Sequence, residues 1–271
     1  MKLKEYFYIL GIKPKKKEYH YKIKKFNLPS AGLIEYAQWL HPKEQDRFIT
    51  ESHISYLKTI IKDGDFCIDI GSYAGDTTVP MAIAAGKKGC VLALEPNKNV
   101  FPVLNKNSFL NTDKTNIFPL MVAATGQYKD LNFEYSDSGF CNGGRHKNIS
   151  KWKHGHAFNL TVTGVDLSDT LHNKFQDKLA RLSYIKIDAE GFDLYILESI
   201  KDIIEKYRPS IKAEIFKHVD ESYRNKIHTF FSDRGYTVYK VDNEENYMGE
   251  ILNKSDMSNW KHYDIYCTPN N

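Results

Sequence analysis

Beyond about residue 65, short β-rich apolar runs alternate with longer segments of helical spacing. The runs are FCIDI (66–70), CVLALE (90–95), IFPLMVAA (117–124), LSYIKID (182–188) and SIKAEIF (210–216). YTVYKV (236–241) and YDIYCT (263–268) complete a set of seven. Helical patterns lie between them, over about 77–85, 98–110, 192–207 and 221–232. Continuous apolar runs of this length suit strands buried on both faces. Their alternation with helices predicts an α/β fold, a mostly parallel seven-stranded sheet with helices on both faces. The last two runs are rich in Tyr, Val and Thr, which suits an antiparallel pair at one edge of the sheet.

The N-terminal part and the middle of the chain depart from this rhythm. KPKKKEYHYKIKK reads as a solvated basic face, with an anionic ligand as the alternative. AGLIEYAQWL (31–40) has apolar residues at helical spacing and stops before Pro42, so a helix is expected there. A second helix is expected in QDRFITESHISYLKTII, with Phe48, Ile49, Tyr56, Leu57 and Ile60 inward and the glycine of KDGD (62–65) as its stop. This divides the chain into a basic, helical extension over 1–46 and one domain over 47–271. LNFEY and NLTVTGV read as two more strands flanking 136–156, a polar stretch with four glycines and no periodicity. A loop of that length is expected to be an insertion over the functional site.

Composition narrows the setting more than the function. At 271 residues, 41% hydrophobic and 27% charged, the chain matches an ordinary globular α/β protein. A net charge of +4 without an aromatic-rich, strongly basic face disfavours nucleic acid as substrate. Cys67, Cys90, Cys141 and Cys267 are scattered with no CxxC pair, and Cys67 and Cys90 lie inside apolar runs. That pattern suits buried thiols in a reduced, cytoplasmic protein. No segment has the apolar length of a membrane span or a signal-peptide core. The oligomeric state is not legible.

Four acids stand at or near the ends of predicted parallel strands: Asp69, Glu95, Asp188 and Glu214. Ligands of open α/β sheets bind outside that edge, so the four are expected to converge on one cleft. In DIGSYAGDTT (69–78) an acid precedes a glycine turn, where Gly71 and Gly75 let the backbone approach a ligand. The spacing is not the G-x-G-x-x-G that seats a dinucleotide pyrophosphate, which counts against the alternative of a nicotinamide dehydrogenase. A glycine loop with Asp69 at its mouth suits an ammonium group. A strand-end Glu95 suits ribose hydroxyls. Together they point to S-adenosylmethionine.

FCIDIGSYAGDTT, LALEPNKNVFPVLNKNSFLN, VTGVDLSDTL and YIKIDAEGFDLYILESI, in that order, resemble the FkbM family of S-adenosylmethionine-dependent methyltransferases. The most specific pieces are Glu95-Pro96, the asparagines Asn107 and Asn111, and KIDAEG (186–191). Ser72-Tyr73 stands where the family commonly has an alanine and an asparagine. The resemblance implies a Rossmann-like class I methyltransferase fold and O-methylation of a sugar, glycan or related small molecule. It implies a cofactor site of Asp69, Gly71, Ser72, Tyr73, Gly75, Thr77, Thr78, Glu95, Pro96, Asn97, Asn111 and Ala123. A non-catalytic module for anionic ligands is the remaining alternative.

Methyl transfer to a hydroxyl needs close alignment, exclusion of water and a group that takes up the proton. Asp188, Glu190, Glu214 and His218 are the candidates for catalysis. Asp188 or Glu190 would act as base, or Asp188, Glu190 and Glu214 together would hold Mg²⁺ or Mn²⁺. Arg145, His146 and Trp152, in the long polar stretch, are candidates for contacts to the acceptor.

Overall fold

The computed structural model describes residues 17–135 and 158–270. Every residue of β3 (Phe66–Ile70) and β4 (Cys90–Leu94) is buried, because both faces of these strands are covered. Side chains of a strand alternate between faces. Phe66, Ile68 and Ile70 accordingly join one core and Cys67 the other, with Leu92 and Val91 dividing the same way on β4. Cys67, Cys90 and Cys267 are buried free thiols.

The central sheet also contains β5 (Ile117–Leu120), β9 (Leu182–Ile187), β10 (Ser210–Ile215), β11 (Tyr236–Lys240) and β12 (Tyr263–Pro269). Its order is β11-β12-β10-β9-β3-β4-β5. The pairs from β10 to β5 are parallel, and β12 runs antiparallel to both β10 and β11. The expected antiparallel pair closes the sheet, with its reversed strand one place in from the edge. Strand order changes direction at β3, so the chain leaves β3 and β9 beside each other at a crevice.

One layer of helices consists of α1 (Glu51–Ile60), α2 (Thr78–Ala85) and α3 (Phe101–Phe109). Thr50 caps α1 by accepting from the His53 N–H at 3.3 Å, and Ile54 and Leu57 face inward. All eight residues of α2 are buried. The other layer comprises α4 (Leu167–Lys174), α5 (Asp193–Ser199), α6 (Lys201–Tyr207) and α7 (Glu221–Ser232). Asp166 caps α4 and Asp220 caps α7. A separate three-stranded sheet comprises β6 (Ala123–Thr125), β8 (Phe158–Asp166) and β7 (Lys129–Tyr135), in that order.

Three expectations need correction. The helix expected over 31–40 is a strand, β2 (Gly32–Trp39), paired antiparallel with β1 (Tyr21–Leu28). Gly32, at φ +69°, closes the turn, and Ile34, Tyr36 and Trp39 are buried against the domain. The helix expected over 192–207 breaks at Ile200 into α5 and α6. The run 117–124 splits, because β5 pairs with β4 while β6 pairs with β8.

The hairpin shares the main core: Leu28, Ile34 and Tyr36 pack with residues of α1, α2, β3 and β4. Its grip is polar. Asn107 accepts from the Ala37 N–H at 2.7 Å and donates to the Ala37 and Ala74 carbonyls. Asn111, at φ +58°, accepts from the Glu35 N–H and donates to its carbonyl, both at 2.8 Å. The two amides satisfy the free edge of β2 as a neighbouring strand would.

Candidate active site

A cleft of about 480 Å³ opens where the loops after β3, β4 and β9 meet. Those loops interlock through the backbone. The N–H groups of Gly71 and Ser72 donate to Leu94, that of Glu95 to Leu120, and that of Asp188 to Ile70, each at 3.0 Å. Gly71 (φ +76°) lies so close to the β9 loop that a Cβ there would be 3.0 Å from the Asp188 carbonyl carbon and closer still to its oxygen. Only glycine fits this crossing.

Glu95 stands just past β4, buried, with both carboxylate oxygens held by backbone. Oε1 accepts from the Asn97 N–H at 2.7 Å and Oε2 from the Tyr73 N–H at 2.9 Å. Burial pushes its carboxyl up to about 7, and the two N–H bonds oppose the rise. Each oxygen keeps a second lone pair, and Glu95 lines the cleft, so it can accept two hydroxyl hydrogen bonds. Leu94, Pro96, Val122, Ala123, Leu131 and Phe133 form an apolar wall beside it, suited to a purine ring.

The cleft also carries charged groups. Lys186 is buried, and its Nζ donates to the Gly71 carbonyl at 3.0 Å, with Asp188 at 3.4 Å and Asp69 at 3.7 Å. Burial works against its charge, but Asp188 and Asp69 outweigh it and raise the ammonium above its ordinary range. Glu190 adopts φ +52°, a costly conformation for a residue with a side chain. Burial and the neighbouring Asp188 push its carboxyl up to about 7. Asp193 is fully buried under the loop and accepts from the Gly191 N–H at 3.1 Å and the Ala189 N–H at 3.4 Å. It fixes the strained turn that carries Glu190, and burial pushes it too up to about 7.

The residues expected at the site thus separate into groups. Gly71, Tyr73, Thr77, Glu95, Pro96, Ala123, Asp188 and Glu190 line the cleft. Asp69 is fully buried beneath it, where Oδ2 accepts from Thr77 and Thr78 at 2.8 and 2.6 Å. It anchors the loop from below. Ser72 donates to the Asp69 carbonyl, Gly75 (φ +96°) packs against Leu104 and Asn107, and Asn97 braces Glu95 through its backbone. Asn111 is committed to β2, as described above. Arg145, His146 and Trp152, with all of 136–156, fall outside the described residues.

Glu214 and His218 are placed elsewhere. Glu214 is buried on β10, with Oε1 3.5 Å from His262 and Oε2 lacking a hydrogen-bond partner among the described residues. Burial and the nearby acids Asp188, Glu190 and Asp193 hold its carboxyl well above the usual range. His218 is exposed beside the Phe216 ring, 5.3 Å between centroids. Nothing supports the cation site expected from Asp188, Glu190 and Glu214. Among the described residues no three His, Cys, Asp or Glu side chains are placed to hold a metal ion. Lys186 already sits against Asp188, and its charge occupies that role.

Sequence reasoning missed Lys186, Asp193, Lys212 and the pair Glu44 and Arg47. Arg47 joins Glu44 at 2.8 Å and Asp76 at 2.8 Å, and the Tyr73 hydroxyl donates to Glu44 at 2.6 Å. Glu44, Arg47 and Asp76 all line the cleft. The polar residues inside the apolar runs YIKI and IKA were the available signal for the two lysines, since a lysine in a buried strand requires partners.

A crevice with this strand order, a glycine crossing after β3 and an acid ending β4 defines the class I methyltransferase fold. The Methyltransferase FkbM domain matches residues 69–238, well over half the chain, and the chain belongs to that family. Among solved structures it resembles the methyltransferase FkbM from Methylobacillus flagellatus, with 11% identity over 80% of this chain and 51% of that one, at a TM-score of 0.43. It thus spans about half the length of that relative. Fibrillarin from Aeropyrum pernix, solved with natively bound S-adenosyl-L-methionine, shares 12% identity over 91% of this chain and 94% of that one, at 0.42. A precorrin-6y C5,15-methyltransferase from Geobacter metallireducens shares 13% over 82% and 88%, at 0.43. These are likenesses of outline, and the fold assignment rests on the strand order itself. No curated protein matches the chain. Among the described residues no helix is long and apolar enough to cross a membrane.

Proposed function

We propose that this chain transfers the methyl group of S-adenosylmethionine to a hydroxyl of a sugar or glycan. The observation that carries the reading is Glu95, a buried carboxylate fixed by two N–H groups with its remaining lone pairs available to the cleft, beside an apolar wall. Those residues fit adenosine: Glu95 for the ribose hydroxyls, the wall for the base, and Gly71 for close approach of the chain. When bound, S-adenosylmethionine supplies an electrophilic methyl carbon on a sulfonium, whose sulfur leaves with the C–S electron pair.

The chain's own residues orient the acceptor and take its proton. Glu190 is the base we favour, because a carboxyl held near 7 in a cleft is matched to proton uptake at neutral pH. Asp188, paired with Lys186, is a fixed charge beside it. Asp193 is a positioning residue that holds the Glu190 turn through the Gly191 N–H. Protein incubated with methyl-labelled S-adenosylmethionine and a panel of sugars and oligosaccharides tests this. The expected product is a methyl ether. Label found only on nitrogen or carbon would overturn the hydroxyl assignment.

A further inference from the structure

Three basic side chains line the cleft, and each already lies between two carboxylates. Arg47 is 2.8 Å from Glu44 and 2.8 Å from Asp76. Lys186 is 3.4 Å from Asp188 and 3.7 Å from Asp69. Lys212 is 2.9 Å from Glu244 and 3.2 Å from Asp264. Each trio has a net negative charge, and Glu190 adds a further carboxyl to the same wall. The chain as a whole carries +4, so this acidity is local to the cleft.

Other groups register the same surplus. Glu190 is raised by burial and then by Asp188, and Glu214 by burial and then by Asp188 and Glu190. S-adenosylmethionine, with a sulfonium, an ammonium and a carboxylate, brings one net positive charge and leaves much of the wall uncompensated. An anionic acceptor would meet, among the described cleft residues, only basic groups already engaged by acids. Bringing a phosphate against such a wall opposes binding through like-charge repulsion. A cation there would be favoured, and more strongly than in water because the cleft is partly enclosed.

Resting on the methyltransferase reading, we propose that the acceptor is a polyhydroxylated molecule bearing a protonated amine, an amino sugar or aminocyclitol. The carboxylates hold the amine and a hydroxyl receives the methyl group. The oxygen–carbon bond forms as the sulfur–carbon bond breaks, and the hydroxyl proton passes to Glu190. Part of this wall comes from outside residues 69–238, the matched family region: Glu44 and Arg47 before it, Glu244 and Asp264 after it. Glu244 and Asp264 keep side-chain exposures of 54% and 39%, so a ligand can reach them and substitution there is compatible with folding.

The test is a titration of the full chain, loaded with S-adenosylhomocysteine, with three sets of probes. Glucosamine trimer and 2-deoxystreptamine carry amines, cellotriose and myo-inositol are their neutral counterparts, and glucose 6-phosphate is anionic. At least one amine-bearing probe should bind tenfold or more tighter than its neutral counterpart, with the phosphate weakest. Glu244→Gln and Asp264→Asn should each reduce that preference about threefold or more, with unchanged circular dichroism. Neutral or phosphorylated probes binding as well as the amines would overturn the inference. So would no amine binding at millimolar concentration, or methyl transfer to the amine nitrogen. If S-adenosylhomocysteine itself does not bind, the methyltransferase reading has failed first. If it binds and no amine preference exists, this inference alone has failed.

Discussion

Replacing Gly71 with alanine probes the crossing on which the whole cleft depends. Two costs add. An L residue at φ +76° carries about 1–2 kcal/mol of backbone strain. The new Cβ would also stand 3.0 Å from the Asp188 carbonyl carbon and closer to its oxygen, and neither is the end of a flexible side chain. Relief requires the loop to lift or the Asp188–Ile70 hydrogen bond to open, which costs about 1–3 kcal/mol as overpacking does. The sum, about 2–5 kcal/mol, is a large part of a typical domain's stability. Gly32→Ala supplies the control: its φ is +69°, and an added Cβ meets nothing within 4 Å among the described residues, so it pays only the strain term. Urea unfolding of both variants, with the slope checked for constancy, separates the two contributions. Gly71→Ala should unfold at clearly lower urea than Gly32→Ala and should lose tenfold or more in S-adenosylhomocysteine affinity. Equal midpoints for the two variants, or an unchanged affinity, would refute the argument.

The remaining predictions address the other named groups. Asn107→Ala leaves the Ala37 N–H and carbonyl without their partner and should cost about 2–3 kcal/mol, at about 1 kcal/mol per bond, with faster amide exchange across 32–39; protection unchanged there would show that the amide does not hold the hairpin. Glu190→Gln should lower the methyl-transfer rate about 10²-fold or more and abolish a rise in rate centred near pH 7; a variant retaining that rise would assign it to another group. Glu95, Glu190 and Asp193 each have a folded-state pKa raised to about 7, so the folded chain binds these protons more tightly than the unfolded chain does. Their stabilisation is full below their ordinary carboxylate range and is lost as pH rises through about 7. The ligand-free protein should therefore unfold at higher urea at pH 5.5 than at pH 8, with Asp193→Asn narrowing the gap; the reverse order would contradict the burial assigned to these acids.

The central strands were readable because burial on both faces leaves an apolar run that few other arrangements produce. The residues of β3, β4, β9 and β10 illustrate this, and the acid just past β4 could be placed from the same reasoning. The hairpin was misread because Leu33, Ile34, Ala37 and Leu40 mimic helical spacing. The stronger local signal was the PSAG turn (29–32), with a glycine able to take positive φ before an aromatic and β-branched run. Four acids were expected on one rim, and of these only Glu95 and Asp188 line the cleft. Glu95 and Asp188 lie one residue past their strands; Asp69 lies lower in β3, beneath the cleft, and Glu214 is level with Asp188 but sits on β10 beside His262. Two residues of register separate Asp69 from the level of Glu95 and Asp188, and no pattern in a single sequence resolves strand ends that finely. Arg47 and Glu44 were out of reach for a different reason, since they arrive at the cleft from a segment distant in sequence from it.

The account stands on Glu95 receiving the ribose of S-adenosylmethionine, and calorimetric titration with S-adenosylhomocysteine measures that directly. The wild-type chain should bind one equivalent and show no comparable heat with NAD. Glu95→Ala should bind more than tenfold more weakly, since two buried hydrogen bonds to a charged acceptor, at about 1.5–3 kcal/mol each, are lost. Absence of binding by the wild type, or equal affinity in Glu95→Ala, would contradict the account.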